Sequence, residues 1–136
     1  MDVLILESTE NTPGIILDHN KNFLEFIGES RPEDVKKFFT PIFDWLDTYK
    51  NHLYFLADKS GSTINVDCNF KMEYFNSSSA KYILDLFMKL GEINKGNSNV
   101  NVNVNWHYNE MDEDMKDAGE EFEKLTGLKF NLVAFA

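Results

Sequence analysis

Ile64-Asn65-Val66-Asp67-Cys68-Asn69-Phe70-Lys71-Met72-Glu73-Tyr74 alternates apolar and polar side chains without a break, and Phe75-Asn76-Ser77-Ser78-Ser79-Ala80-Lys81 follows it directly. Successive side chains of a strand point to opposite faces. Ile64, Val66, Cys68, Phe70, Met72 and Tyr74 therefore share one face, and Asn65, Asp67, Asn69, Lys71 and Glu73 the other. After the serines the period changes. Ala80, Ile83, Leu84, Phe87 and Met88 recur at helical spacing, and the helix is expected to end near Gly91. A second alternating run then sets Val100, Val102, Val104, Trp106 and Tyr108 against Asn99, Asn101, Asn103, Asn105, His107 and Asn109. The asparagine repeat is this alternation and not low complexity. Strand, helix and strand in this order form a parallel pair joined by a right-handed crossover.

The rest of the chain extends the pattern on both sides. Thr12-Pro13-Gly14-Ile15-Ile16-Leu17-Asp18 reads as a strand, His19-Asn20-Lys21-Asn22 as a turn and Phe23–Ile27 as the return strand of a hairpin. Residues 1–11 form an edge strand or a docked arm. Pro32 suits the first position of a helix capped by Ser30 or Arg31, with Glu33 and Asp34 matching its dipole. Val35, Phe38, Phe39, Ile42, Trp45, Leu46 and Tyr49 give that helix one apolar face. Pro41 lies inside it and is expected to kink or split it at Thr40. The period continues through Leu53 and Leu56, so the helix is taken to about Ala57, the alternative being a short strand at 52–57. A last helix runs from Asp112 to about Thr126 with Met115, Ala118, Phe122 and Leu125 inward and Gly127 closing it. Phe130–Phe135 is the final strand. The expected architecture is one α/β domain over residues 1–136, a two-layer arrangement with a mixed sheet and helices mainly on one face. The strict alternation of the two central strands leaves the opposite face open.

Composition excludes several functions. The net charge of −10 opposes binding to nucleic acid or anionic membrane, because both depend on Lys and Arg neutralising phosphates. No apolar run is long enough to span a bilayer, and Met1–Glu7 lacks the basic flank of a signal peptide. The expected compartment is the cytoplasm. The single cysteine, Cys68, is in phase with the core and cannot form an internal disulfide.

Chemistry-bearing residues are sparse. His19, His52 and His107 do not stand at metal-ligand spacing, and there is no glycine-rich phosphate loop. Ser77, His107 and Asp112 could be assembled into a triad only by geometry that spacing does not supply. Glu110, Asp112, Glu113, Asp114 and Asp117 follow the strand ending at Tyr108, at the end of a parallel sheet where sites collect. They read first as an acidic opening turn of a helix and second as a metal site, and they lack the glycine and terminal Glu of a calcium loop. The remaining feature is the turn at residues 76–79. Asn and Ser are favoured helix N-caps. The free N–H groups and dipole of such an end also suit an anion, including a phosphate on one of these serines.

The combination of motifs resembles the SiaC family of bacterial regulatory phosphoproteins from about residue 12 to the C-terminus. The resemblance rests on Thr12-Pro13, Gly28, Ser30, Pro32-Glu33, Phe38-Phe39, Pro41-Ile42, Trp45 and Tyr49. It rests above all on Tyr74-Phe75-Asn76-Ser77-Ser78-Ser79 with Lys81, followed by Trp106, Tyr108, Asp112-Glu113-Asp114 and Gly119. It implies a fold like the STAS domain of anti-sigma-factor antagonists and a protein with no catalysis or cofactor of its own. Such a protein is phosphorylated by a dedicated serine/threonine kinase and dephosphorylated by a metal-dependent phosphatase. Its unphosphorylated form binds an effector, in the family a diguanylate cyclase linked to biofilm formation. The family's phosphorylated threonine follows the Asn of the turn. The matching residue here is Ser77, a serine in place of threonine, with Ser78 and Ser79 as alternates. On this resemblance the partner-binding residues are Asn76, Ser78, Ser79, Lys81, Trp106, Tyr108, Asp112 and Asp114. Two alternatives remain: an unphosphorylated binding or structural domain of the same fold, and a small metal-dependent enzyme built on the acidic cluster.

Overall fold

The structure, a computed structural model, describes residues 1–136. Six strands form one sheet: β1 (Leu4–Leu6), β2 (Gly14–Asp18), β3 (Phe23–Ser30), β4 (Ile64–Phe75), β5 (Val100–Asn109) and β6 (Phe130–Phe135). Their spatial order equals their chain order. The first three pair antiparallel and β3 to β6 pair parallel. The crossovers are the helices α1 (Val35–Ser60), α2 (Ser77–Gly96) and α3 (Glu113–Thr126). Every crossover steps the same way along the sheet, so right-handed connection places all three helices on one face. The two-layer, mixed-sheet expectation is thus met, including the parallel pairing of β4 with β5 and the use of residues 4–6 as an edge strand. No helix is long and apolar enough to cross a membrane.

The core lies between the layers. Val66, Cys68, Phe70 and Met72 of β4 and Val100, Val102, Val104 and Trp106 of β5 are buried, and their polar neighbours face outward. On that outer face Asn69, Asn105 and Asn131 are joined by side-chain hydrogen bonds of 3.2 Å each. Inside, Trp106 stacks on Phe70 with ring centroids 4.5 Å apart, and Phe87, Phe122 and Phe130 close around it.

Several local expectations are corrected. The cap of α1 is Asp34, whose carboxylate accepts from the Lys37 N–H at 3.0 Å. Ser30 and Arg31 do not cap it, because β3 continues to Ser30 and buries that residue. Pro41 does not split α1, which runs unbroken past it. A proline in a helix interior costs about 3 kcal/mol. Burial of Phe39, Ile42, Trp45, Leu46, Tyr49 and Leu53 along the same helix contributes about 1.5–3 kcal/mol for each large aliphatic or Phe side chain, which outweighs it. The strand alternative at 52–57 falls with the same observation.

α2 continues beyond Gly91 to Gly96 and buries Leu86, Leu90 and Ile93, while Met88 is exposed and Leu84 half-buried. Gly91 is interior because the end of α3 passes against it; a Cβ there would stand 3.0 Å from the Thr126 carbonyl oxygen. In α3 the inward position is Thr126 and not Leu125, which is exposed. The largest correction concerns Tyr74. The register between β3 and β4 shifts at Gly28/Glu29, so that Gly28 pairs with Met72 and Glu29 with Tyr74. Glu73 is the extra residue of a bulge. The alternation slips by one place there, turning Tyr74 outward and packing Phe75 against Trp106 and Phe122.

Candidate functional site

The turn at residues 76–79 lies at the C-terminal end of the parallel strands. Asn76 is extended and its side-chain oxygen accepts from the Ser79 N–H at 2.9 Å, so it caps α2. Its own N–H donates to the Ser30 carbonyl at 3.0 Å, which ties the start of α2 to the end of β3. The three serines then separate by location. Ser77 and Ser78 are exposed and Ser79 is fully buried. The Ser79 hydroxyl donates to the Ser30 carbonyl at 3.1 Å and stands 2.8 Å from the Ser30 hydroxyl. A hydroxyl carries one hydrogen, so with the Ser79 hydrogen given to the carbonyl, the Ser30 hydroxyl donates to Ser79. Lys81 is exposed one helical turn beyond Ser77.

The acidic segment forms the facing wall. Asp112 caps α3 by accepting from the Met115 N–H at 3.0 Å, which is its structural reading. Asp112 and Asp114 also line, with Glu73, Tyr74, Phe75, Met115 and Ala118, a groove of about 350 Å³. The structure therefore brings the residues before Ser77 together with the acidic opening of α3, and beside them Met111 is 85% exposed. No three His, Cys, Asp or Glu side chains stand where they could hold a metal ion.

The sequence candidates divide accordingly. Asn76, Ser77, Ser78, Lys81, Asp112 and Asp114 gather at this end of the sheet, and Tyr108 is half-buried near it. Ser79 and Trp106 are inside. Trp106 is fully buried, its Nε1–H donates to the Met115 carbonyl at 2.9 Å, and it has no face to offer a partner. His107 Nε2 is buried without a hydrogen-bond partner, so it does not activate Ser77. Burial pushes the Cys68 thiol up to about 12, which keeps it inert. One residue was missed. Arg31 lies with its guanidinium 5.1 Å from the Tyr74 ring centroid and pairs with Glu29. Glu29 and Arg31 stand two residues apart, the spacing of a same-face pair on a strand; extending β3 to Ser30 would have revealed it.

The sequence and the fold both match known proteins. Residues 6–135 match the family profile described as SiaC family regulatory phosphoprotein. An uncharacterised protein of Pseudomonas aeruginosa strain UCBPP-PA14 is 28% identical over 134 residues, 98% of each chain. The structure superposes on SiaC in the crystal structure of the P. aeruginosa diguanylate cyclase SiaD in complex with its activator SiaC. There the TM-score is 0.81 and the identity 25%, over 97% of this chain and 99% of that one. It superposes on apo-SiaC from the same organism with a TM-score of 0.79 at 25% identity, over 98% and 100%.

Proposed function

The chain belongs to the SiaC family of regulatory phosphoproteins, and from that premise we propose that it is a non-enzymatic cytoplasmic signalling module switched by phosphorylation of Ser77. A cognate serine/threonine kinase adds the phosphate and a metal-dependent phosphatase removes it. The unphosphorylated form binds an effector. A diguanylate cyclase is the leading class of effector, because the related SiaC is the activator of one. Control of cyclic di-GMP signalling and of biofilm formation would follow.

The observation that carries this reading is the separation of the serines. Ser77 is exposed in the first turn of an Asn76-capped helix, and Ser79 is enclosed. A kinase can reach the first and not the second; Ser78 is the remaining alternate. Phosphorylation adds about −1.5 to −2 charges and three acceptor oxygens. A partner packed over this end of the sheet would have to bury that charge beside Asp112 and Asp114, which cannot pair with it. Stripping water from a dianion is expensive even where one side chain pairs with it, so the partner is released.

Incubation with the cognate kinase and ATP followed by mass spectrometry should place one phosphate on Ser77. Pull-down with the effector should succeed for wild type and Ser77→Ala and fail for Ser77→Asp. The absence of phosphate from residues 77 and 78, or equal capture by all three proteins, would refute the switch.

A further inference from the structure

We infer that Arg31 is the side chain that receives a phosphate on Ser77, exchanging its ion pair with Glu29 for one with the phosphoserine. The inference rests on the assignment of Ser77 as the modified residue and adds the group that holds the modification.

The backbone puts the two residues side by side. Ser30 pairs in register with Phe75, and its carbonyl accepts from the Asn76 N–H. Arg31 therefore stands beside Asn76, and Ser77 is one residue further along. Adjacent strands lie about 4.8 Å apart, and an arginine side chain is long enough to reach across that gap to the first turn of α2. The Ser30 hydroxyl points inward to Ser79, so alternation sends Glu29 and Arg31 outward. There they pair, and the guanidinium lies over the Tyr74 ring.

Both present contacts of Arg31 are replaceable. The Glu29 pair is solvent-exposed, with 47% of the Arg31 side chain and 35% of the Glu29 side chain accessible, and exposed pairs contribute little. A phosphate dianion offers the guanidinium fork two parallel N–H···O bonds to a fuller charge. Lys81 supplies only a point charge from one turn away. Glu29 and Glu73 add negative charge at this end of the sheet, so an unpartnered dianion there would be repelled. Tyr74 also lines the groove that holds Asp112 and Asp114. Withdrawing Arg31 from its ring removes a cation from the edge of the surface a partner would cover.

The test uses the full chain with phosphoserine installed at position 77 during synthesis, independent of any kinase. Phosphorus NMR reads the second ionisation of the phosphate. Arg31→Gln should raise that pKa by about half a unit or more, since a nearby cation favours the charged form. Arg31→Lys should raise it less, and Lys81→Gln less than Arg31→Gln. In the unsubstituted phosphoprotein the Arg31 Nε–H resonance should move when the phosphate is present and follow its ionisation. An unmoved Arg31 resonance would overturn the inference even if Arg31→Gln failed to fold. So would equal phosphate pKa values in wild type and Arg31→Gln. Either result leaves the kinase experiment on Ser77 standing by itself, so the two proposals fail separately.

Discussion

The hydroxyls of Ser30 and Ser79 meet 2.8 Å apart in the interior, joining the end of β3 to the first turn of α2 across 49 residues of chain. Neither is exposed, so this contact anchors the turn that presents Ser77. Ser79→Ala leaves the buried Ser30 hydroxyl without a partner, at about 1–3 kcal/mol, whereas Ser30→Ala leaves the Ser79 hydroxyl still donating to the residue-30 carbonyl. In urea titrations Ser79→Ala should therefore lose stability in that range and Ser30→Ala should lose less. The double variant should lose less than the sum, because it removes both hydroxyls together. Full additivity would show that the hydroxyls do not interact.

Gly119 is fixed by Trp106. A Cβ at this position would stand 2.7 Å from the indole Cδ1 and Nε1 atoms. α3 would have to withdraw, weakening the Trp106–Met115 hydrogen bond. Gly119→Ala should therefore destabilise by about 1–3 kcal/mol, the usual range for overpacking, despite the better helix propensity of alanine. A melting temperature at or above that of wild type would show that α3 is not seated on the indole.

His107 should make stability depend on pH. Its pKa is lowered from 6.5 by burial first and by Lys71 second, with Glu25 opposing. The unfolded chain then takes up a proton at a higher pH than the folded one. The contribution of His107 is complete above about pH 6.5 and is lost as pH falls through that value toward the lower folded pKa. Calorimetry from pH 7.5 to 5 should show a decline in wild type that is shallower in His107→Gln. Identical slopes would remove His107 as the cause.

Phosphorylation of Ser77 should not unfold the protein. The phosphate sits at the start of α2, where free N–H groups and the helix dipole favour an anion by up to about 2 kcal/mol. The phosphoprotein should melt no lower than the free protein and yet lose its effector by two or more decades in Kd, a cost of about 2.8 kcal/mol or more. A phosphoform that melts lower, or that binds more tightly, would mean that the phosphate acts by loosening the helix or as a recognised ligand.

Much of the fold is legible because it depends on short-range periodicity. The alternation in Ile64–Met72 and Val100–Tyr108, the helical spacing between them, the Asn76 cap and the Gly127 stop are all local. Right-handed crossover then converts that order into parallel pairing with the helices on one face. Membership of the family was also legible, from the segment around Tyr74–Lys81.

What the sequence determined by itself is therefore the list of elements, their order and the surface turn that carries Ser77. Tertiary structure alone decided which serines are exposed and which cation lies over Tyr74. The bulge at Glu73 is set by pairing with β3, not by the alternation within β4; it turns Tyr74 outward under Arg31 and Phe75 inward. The burial of Ser79 depends on Ser30, 49 residues away. The phase of α2 depends on α3 crossing at Gly91. Each is a contact between segments distant in sequence, and a local period carries no information about which distant surface it will meet.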